Sequence, residues 1–362
     1  MRNRHVVQIA GSALALSFAF GCTDSATPPT SPAPDLQSLA APTLTVQQSG
    51  TTNRLQAVSP VSERVVWASG TGGTYTITTD GGQTWHAAQV PAAHDLEFRD
   101  VQAFSDRVAY LMSAGPGNDS RIYFTSDGGQ HWSLQFINQD PNAFYDCFDF
   151  WGPNRGLTTS DAVNGVFPVI KTDDGAHWTN IGANLPVAQP GEASFAASGT
   201  CIATQGSKNA WIGTGGGAMA RVLATTDAGR TWNAYDTPIV QGTPSSGVVS
   251  VAFRDALHGI LGGGELATPE AHLENTARSS DGGKTWTLAT PTPFTGSIYG
   301  LAYIKGTVGV VATGPRGSAW SSDEGNTWMT LTGLKDYWAV SFASARSGWL
   351  VGVGGRIVKL SF

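Results

Sequence analysis

The chain has 362 residues, of which 45 are glycine, 12 are tryptophan and 13% are charged. This composition favours short strands joined by tight turns over long helices. The formal net charge of −6 and the pI near 5.6 argue against nucleic-acid binding, which needs a basic surface. We therefore expect an all-β protein that does not bind nucleic acid.

The N-terminus is typical of an export signal. A basic start over residues 1–5 precedes an apolar run over residues 6–20, which is short for a bilayer span. The run ends in Ala19-Phe20-Gly21-Cys22, which resembles the lipobox of bacterial lipoproteins, although Phe20 is unusual there. We expect a signal peptide over residues 1–22 with a lipid on Cys22. Ordinary signal-peptide cleavage without lipidation is the alternative.

The expected lipid would place the protein outside the cytoplasm. We predict an exported outer-membrane or cell-surface lipoprotein that faces the periplasm or the exterior. Residues 23–41 are rich in proline, serine, threonine and alanine, a composition that predicts a disordered tether. Residues 42–362 remain for a folded domain.

One octapeptide, of which Thr78–Trp85 is the first copy, recurs six times in this domain. Each copy has an aspartate at its third position, a glycine two residues later and a tryptophan at its end. The six aspartates are Asp80, Asp127, Asp173, Asp227, Asp281 and Asp323. Their spacings of 42–54 residues match the length of a four-stranded propeller blade.

The octapeptide has the chemistry of a hairpin turn. The aspartate can accept N–H groups of its own turn, and the glycine supplies a positive φ. The tryptophan opens the next strand, where its ring can pack between sheets. Because all six aspartates serve the same turn, we expect them to be structural. They lack the alternating oxygen ligands of a calcium loop, so no metal site is predicted.

The last repeat is incomplete. Residues 336–362 predict the first three strands of a blade, and the chain ends before a fourth. Residues 42–48 offer the missing strand at the other end of the sequence. Pairing the two ends would close the ring and remove its open edges. The sequence thus predicts one seven-bladed β-propeller of four-stranded blades, closed by an N-terminal strand.

The octapeptides resemble the bacterial neuraminidase repeat, or Asp box. The fuller repeat, with B strands such as Ala210-Trp-Ile-Gly-Thr-Gly-Gly and Ser347-Gly-Trp-Leu-Val-Gly-Val-Gly-Gly, is most similar to photosystem II stability and assembly factors. The resemblance covers about residues 42–362 and implies a lumenal or periplasmic seven-bladed propeller. It also implies a scaffold that assists assembly of a membrane complex without catalysis. A propeller hosts many activities, so function does not follow from the fold.

Two enzymatic alternatives stay open at this point. A sialidase-like glycoside hydrolase could draw its acids from Asp95, Glu97, Asp146 or Glu192, although the Phe/Tyr-Arg-Ile-Pro motif of sialidases is missing. A propeller-type oxidoreductase has no cofactor fingerprint in its favour. Histidines at metal-ligand spacing are also missing. We expect no cofactor and favour a binding function.

A binding face is expected at the end of the propeller opposite the Asp boxes, where the D–A and B–C loops lie. Arginines and aromatic residues there are of the types that dominate protein-binding hot spots. The candidates are Arg99, Arg121, Tyr145, Arg221, Tyr299, Arg316, Trp338 and Arg356. The long loop 264–275 is either a lid or a partner contact. We expect another protein or a membrane complex as partner, a lipid-mediated membrane contact, and a monomer.

Two cysteines remain after the signal, Cys147 and Cys201. Each lies 26 residues before the aspartate assigned to its own box, so both occupy equivalent positions in neighbouring blades. An oxidising compartment permits them to form a disulfide. The alternative is a pair of buried free thiols.

Overall fold

The structure is a computed structural model that describes residues 40–362. The predicted signal peptide over residues 1–22, Cys22 and residues 23–39 of the predicted tether lie outside the described residues. Within residues 40–362 the chain forms 28 strands in seven four-stranded antiparallel sheets, with three short 3-10 turns. These turns are Gly117–Asp119, Gly182–Asn184 and Val353–Gly355.

Each sheet is one blade, and in the first six blades strands A to D follow one another in the chain. The first three blades comprise β2 (Leu55–Pro60), β3 (Val66–Gly70), β4 (Thr74–Thr78), β5 (His86–Gln89), β6 (Phe98–Ala103), β7 (Ala109–Ser113), β8 (Arg121–Thr125), β9 (Ser133–Ile137), β10 (Tyr145–Gly152), β11 (Arg155–Ser160), β12 (Ile170–Thr172) and β13 (Thr179–Asn180). The next three comprise β14 (Ile202–Gln205), β15 (Asn209–Thr214), β16 (Arg221–Thr225), β17 (Asn233–Asp236), β18 (Ser246–Phe253), β19 (Gly259–Glu265), β20 (Thr276–Ser279), β21 (Thr287–Leu288), β22 (Gly300–Tyr303), β23 (Val310–Gly314), β24 (Gly317–Ser321) and β25 (Met329–Thr330).

The seventh blade joins the two ends of the domain. It comprises β26 (Tyr337–Phe342), β27 (Ser347–Gly352), β28 (Arg356–Ser361) and β1 (Thr43–Gln48), in the order β1-β28-β27-β26. Strand β1 pairs antiparallel with β28 along its full length, from Thr43 opposite Ser361 to Gln48 opposite Arg356. The predicted seven-bladed ring, closed by the N-terminal strand, is confirmed.

The hydrophobic core lies between the blades. Three B-strand tryptophans, Trp67, Trp211 and Trp349, are at most 1% exposed. Each indole N–H donates across to a neighbouring segment, as Trp67 does to the Ser105 carbonyl at 2.9 Å. Burying a large apolar side chain contributes about 1.5–3 kcal/mol, so these rings help to hold adjacent blades together. The A strands surround the axis and leave a narrow tunnel of about 220 Å³.

The Asp-box turns have the hydrogen bonds that the sequence predicts. In the first box, the Thr78 hydroxyl donates to Asp80 at 2.8 Å, and Asp80 accepts the Thr84 N–H at 3.0 Å and the Thr84 hydroxyl at 2.6 Å. These bonds, first among them the one from the Thr84 hydroxyl, hold the pKa of Asp80 far below its usual value. Gly82 adopts φ +89°, a conformation that residues with a Cβ rarely adopt.

The third box corrects one assignment. The structural carboxylate is Asp174, not Asp173: it accepts the Thr172 hydroxyl at 3.3 Å and the His177 N–H at 2.8 Å. The octapeptide alignment put Lys171 at the first position, but lysine has no hydroxyl for the turn. Thr172 takes that role, and the turn shortens by one residue. Asp173 instead forms a surface ion pair with Lys171 at 2.8 Å.

This shift predicts different outcomes for two adjacent aspartates. Asp174→Ala is expected to lower the melting temperature by several degrees, since its turn loses the acceptor for several N–H groups. Asp173→Ala should change it by no more than about 1 °C, because an exposed ion pair stabilises little. Thermal unfolding of the two variants checks this. Equal losses would contradict the shifted register.

Cys147 and Cys201 are paired in the structure as a disulfide, with their Cα atoms 6.2 Å apart. That separation is within the range that a disulfide spans. Cys147 lies on β10, and Cys201 immediately precedes β14, so the bond joins the innermost parts of the third and fourth blades. Both residues are completely buried.

Candidate binding site at the channel mouth

A cavity of about 420 Å³ opens at the end of the propeller opposite the Asp boxes. We call it the mouth cavity. Its polar lining consists of Arg54, Gln56, Arg99, Asp146, Asp161 and Ser194. Its apolar lining consists of Phe144, Phe195, Ala196, Ala197, Leu266, Tyr299 and Trp338. Charged groups therefore meet aromatic rings in one concave site, the usual composition of a ligand pocket.

β-Bulges aim the central side chains of this site. The pairing between strands A and B skips one A-strand residue in the first, second, third and seventh blades. The skipped residues are Gln56, Arg99, Asp146 and Trp338, and all four line the mouth cavity. A bulge places an extra residue outside the regular alternation and so turns its side chain in a new direction. The same irregularity, repeated around the ring, builds the site.

The segment 194–200 forms the floor of the cavity. It is the last part of the long D–A loop that joins the third blade to the fourth, and it reaches two other blades: the Arg99 guanidinium donates to the Ala196 carbonyl at 3.1 Å, and the Ser198 hydroxyl donates to the Tyr299 carbonyl at 2.7 Å. Gly199 packs so closely on Asp100 that a Cβ would lie 2.0 Å from the Asp100 carboxylate. The floor is therefore fixed by contacts across the ring.

That close approach makes Gly199 sensitive to the smallest substitution. Gly199→Ala is expected to displace the floor and to lower the melting temperature by several degrees, because overpacking costs about 1–3 kcal/mol. Gly152→Ala is the matched control, because Gly152, like Gly199, is not at positive φ and has nothing within 4 Å of its Cβ position. A Gly199→Ala variant no less stable than the Gly152→Ala variant would contradict the described packing.

The two arginines of the cavity are oriented by shared partners. Glu97 accepts the Arg99 Nε–H at 3.0 Å and the Arg54 guanidinium at 3.4 Å. The Arg54 guanidinium lies 5.0 Å from the ring centre of Trp338, and that of Arg99 lies 6.0 Å from the ring centre of Phe144. Stacking on aromatic faces pre-orients both cations.

Two neighbouring carboxyl groups face these arginines. Burial raises the pKa of Asp161 to about 7, opposed by the Ser194 N–H that donates to it. Burial also raises the pKa of Asp146, and the charge of Asp161 adds to the effect, while Arg99 opposes it. At neutral pH the pair therefore readily holds a proton, since two close negative charges in a buried site are costly.

A buried acid with a raised pKa destabilises the fold as pH rises. The unfolded Asp161 ionises near its ordinary pKa of 3.8, whereas the folded one ionises near 7. The stability that protonated Asp161 contributes is fully present below pH 3.8 and is lost as the pH rises through about 7. Asp161→Asn is therefore expected to melt at least about 2 °C higher than the natural protein at pH 8, with the difference shrinking toward pH 5. A pH-independent difference would contradict this titration.

The sequence-based candidates divide into three groups. Arg99, Tyr299 and Trp338 line the mouth cavity, whereas Tyr145 is 4% exposed and packs on Phe136 instead. The remaining four arginines lie on the surrounding rim with other partners. These pairs are Arg121 with the Asn118 carbonyl, Arg221 with Glu192, Arg316 with Glu270, and Arg356 with Asp336. Sequence reasoning missed Arg54, Gln56 and Asp161.

Of the four carboxylates considered for glycoside hydrolysis, three have partners of their own. Asp95 is exposed beside His94, and Glu97 bonds to the two cavity arginines. Glu192 is buried and accepts the Thr214 hydroxyl at 2.6 Å. Of the four, Asp146 lines the cavity.

The long loop that follows β19 is anchored at its two ends. Glu265 accepts the hydroxyl groups of Thr243 and Ser245, and Glu270 pairs with Arg316. His272 bonds to the Thr292 carbonyl at 2.7 Å. Leu266 contributes its side chain to the cavity wall. The loop is thus part of the mouth.

Two further features concern residues 40–362. No helix there is long and apolar enough to cross a membrane. No group of three or more histidine, cysteine, aspartate or glutamate side chains in that range is arranged to hold a metal ion.

Fold and turns together define the class, a seven-bladed Asp-box β-propeller. The BNR/Asp-box repeat family matches residues 76–87. Among solved structures, YCF48 bound to a D1 peptide is similar at 17% identity and a TM-score of 0.64, covering 90% of this chain and 99% of that one. YCF48 from Cyanidioschyzon merolae is similar at 16% identity and a TM-score of 0.62, covering 89% and 99%.

The fold also recurs in U3-55K, at 11% identity and a TM-score of 0.62, covering 88% of this chain and 98% of that one. No curated protein matches this chain in sequence. At these identities the likeness concerns the fold. The structural part of the resemblance drawn from the Asp boxes is confirmed.

Proposed function

We propose that this chain is a non-enzymatic, extracytoplasmic binding propeller that holds a segment of a partner polypeptide in the mouth cavity. The observation that carries the proposal is the cavity itself, where oriented arginines, the buried Asp146, the half-buried Asp161 and an aromatic wall converge. Extended peptides expose donors, acceptors and apolar side chains together, and such a mixed site matches all three. YCF48, a similar propeller, is known bound to a D1 peptide, which supports this reading.

A glycan is a less suitable occupant. Sugars commonly lie flat on open aromatic faces, but Arg54 covers a face of Trp338, and Arg99 lies over Phe144. Three of the four carboxylates considered for a glycosidase, Asp95, Glu97 and Glu192, are paired with other residues. A polypeptide ligand requires neither an open ring face nor a pair of opposed acids.

The position of β1 suits a membrane tether. Thr43 pairs with Ser361, which also pairs with Ser347 at the start of a B strand, so β1 begins at the Asp-box end. A lipid on Cys22 would then hold the molecule from that end, with the mouth cavity facing away from the membrane. The intervening 20 residues could reach about 70 Å at most. We propose such a tethered monomer, exported to the outer membrane or the cell surface, with a membrane complex or one of its subunits as partner.

Two stacked arginines at opposite ends of the propeller allow a matched test. Arg54 lies over Trp338 at the mouth, and Arg155 lies 5.7 Å from the ring centre of Trp151 at the Asp-box end. The natural protein, Arg54→Ala and Arg155→Ala are each used to capture partners from native membranes. We expect Arg54→Ala to lose the captured polypeptide and Arg155→Ala to keep it. Loss with Arg155→Ala alone would refute a binding site at the mouth.

A further inference from the structure

Unpaired polar atoms mark the mouth cavity as a site built for a ligand. Among residues 40–362, six buried side-chain polar atoms have no hydrogen-bond partner, and three of them belong to cavity residues. These are Arg54 Nε, Gln56 Oε1 and Asp146 Oδ2. Gln56 and Asp146 are each 1% exposed. Leaving a buried polar atom unpaired destabilises the fold, so the concentration of three such atoms in one cavity points to a group that pairs with them.

The hydrogen-bonding pattern narrows the ligand. Two of the unpaired atoms, on Gln56 and on Asp146 when it is ionised, are acceptors, whereas Arg54 Nε–H is a donor. A ligand that pairs with all three atoms therefore carries at least two hydrogen-bond donors and one neighbouring acceptor. Arg99 offers less to an incoming anion, because its guanidinium already donates to Glu97 and to the Ala196 carbonyl.

The charges of the cavity favour a cation. Arg54 and Arg99 carry two positive charges. Their shared partner Glu97 and the two lining acids Asp146 and Asp161 carry three negative charges when fully ionised, so one negative charge has no counterion. The raised pKa of Asp161, caused chiefly by burial, shows that this charge is costly without a counterion. A single positive group in the cavity would replace the proton held by the two carboxyls.

We propose that the mouth cavity binds a primary ammonium with an adjacent carbonyl, the chemistry of a polypeptide's amino-terminal residue. The ammonium donates to Asp146 and Gln56, and the carbonyl accepts from Arg54. The first side chain packs against the apolar wall formed by Phe195 and Leu266. This inference rests on the proposed function, because it names which part of the partner polypeptide enters the cavity.

Small probes separate the ammonium from the rest of a peptide. Leucinamide carries the ammonium, the carbonyl and an apolar side chain, and N-acetyl-leucinamide lacks the charge. Titrations of the full chain at pH 7, followed by calorimetry or NMR, are expected to show binding of leucinamide at least tenfold tighter than of the acetylated probe. Equal affinity for the two probes, or no binding of leucinamide, would overturn the inference.

Variants locate the contact. Asp146→Asn is expected to weaken leucinamide binding at least tenfold, while Asp95→Asn, at an exposed carboxylate of the same end, should leave it within twofold. Melting curves show whether each variant is folded. The leucinamide affinity of Asp161→Asn is measured as that of a second cavity variant. Unchanged affinity in folded Asp146→Asn would contradict the assignment.

A longer ligand distinguishes this inference from the function on which it rests. The captured partner is tested as a free-amine peptide of its own N-terminal residues and as the acetylated form of that peptide. Capture that depends on Arg54 combined with equal binding of both forms would refute the ammonium site and retain the peptide-binding function. Capture that does not depend on Arg54 would refute the function itself.

Discussion

Replacing Cys147 and Cys201 together with alanine is expected to lower the free energy of unfolding by about 4 kcal/mol. The disulfide closes a loop with a sequence separation of 54 residues, and the chain-entropy contribution of such a closure is of that size. It also joins two neighbouring blades near the axis, where loosening would reach the cavity floor. Denaturant unfolding of the natural and double-alanine proteins measures the difference.

Reduction provides the control for this prediction. The natural protein, unfolded and refolded with a reductant present, should show the stability of the double-alanine variant, whereas that variant should not respond to the reductant. Mass mapping of unreduced peptides should find Cys147 and Cys201 linked. Alkylation of both residues without prior reduction would refute the bond.

The second large loss of stability is expected on replacing Gln47, whose side chain hydrogen-bonds the closing strand β1 to neighbouring segments. Its side-chain oxygen accepts the indole N–H groups of Trp85 at 3.1 Å and of Trp349 at 3.2 Å, and its amide donates to the Gly81 carbonyl at 3.1 Å. Gln47→Ala removes the acceptor of two indoles at once and is expected to cost about 2–4 kcal/mol.

The adjacent residue on β1 is the matched control. Gln48 is exposed and lies on the same strand, so Gln48→Ala should change the free energy of unfolding by less than about 0.5 kcal/mol. Denaturant unfolding of both variants decides the matter. Similar small effects for the two variants would mean that Gln47 does not secure the ring closure.

The ring could be predicted from the sequence because its signals are local and repeated. Each Asp box needs one hydroxyl, one carboxylate and one glycine within a few residues. Six copies at blade spacing, together with the truncated last repeat, predict seven blades. The truncated last repeat predicted the role of β1. The exception was the third box, where Lys171 occupies the hydroxyl position and the turn moves by one residue to Thr172 and Asp174.

The mouth cavity was harder to foresee because bulges and long-range contacts build it. Asp146 and Gln56 are buried polar residues within apolar strands, and their direction depends on a pairing irregularity that no single repeat reveals. Arg221 and Arg316 matched the expected residue types, yet each is neutralised by a glutamate distant in sequence. The residue types in the loops indicated the end of the propeller at which the cavity lies. Which side chains line that cavity depends on contacts between residues distant in sequence.

The most direct test of the central claim is photo-crosslinking in native membranes from the two ends of the molecule. A benzophenone-bearing phenylalanine replaces Phe195, half-buried at the mouth, in one variant and Leu257, 53% exposed on the A–B turn at the Asp-box end, in the other. We expect a discrete crosslinked polypeptide from position 195 and none from position 257. Crosslinks from position 257 with none from position 195 would contradict binding at the mouth.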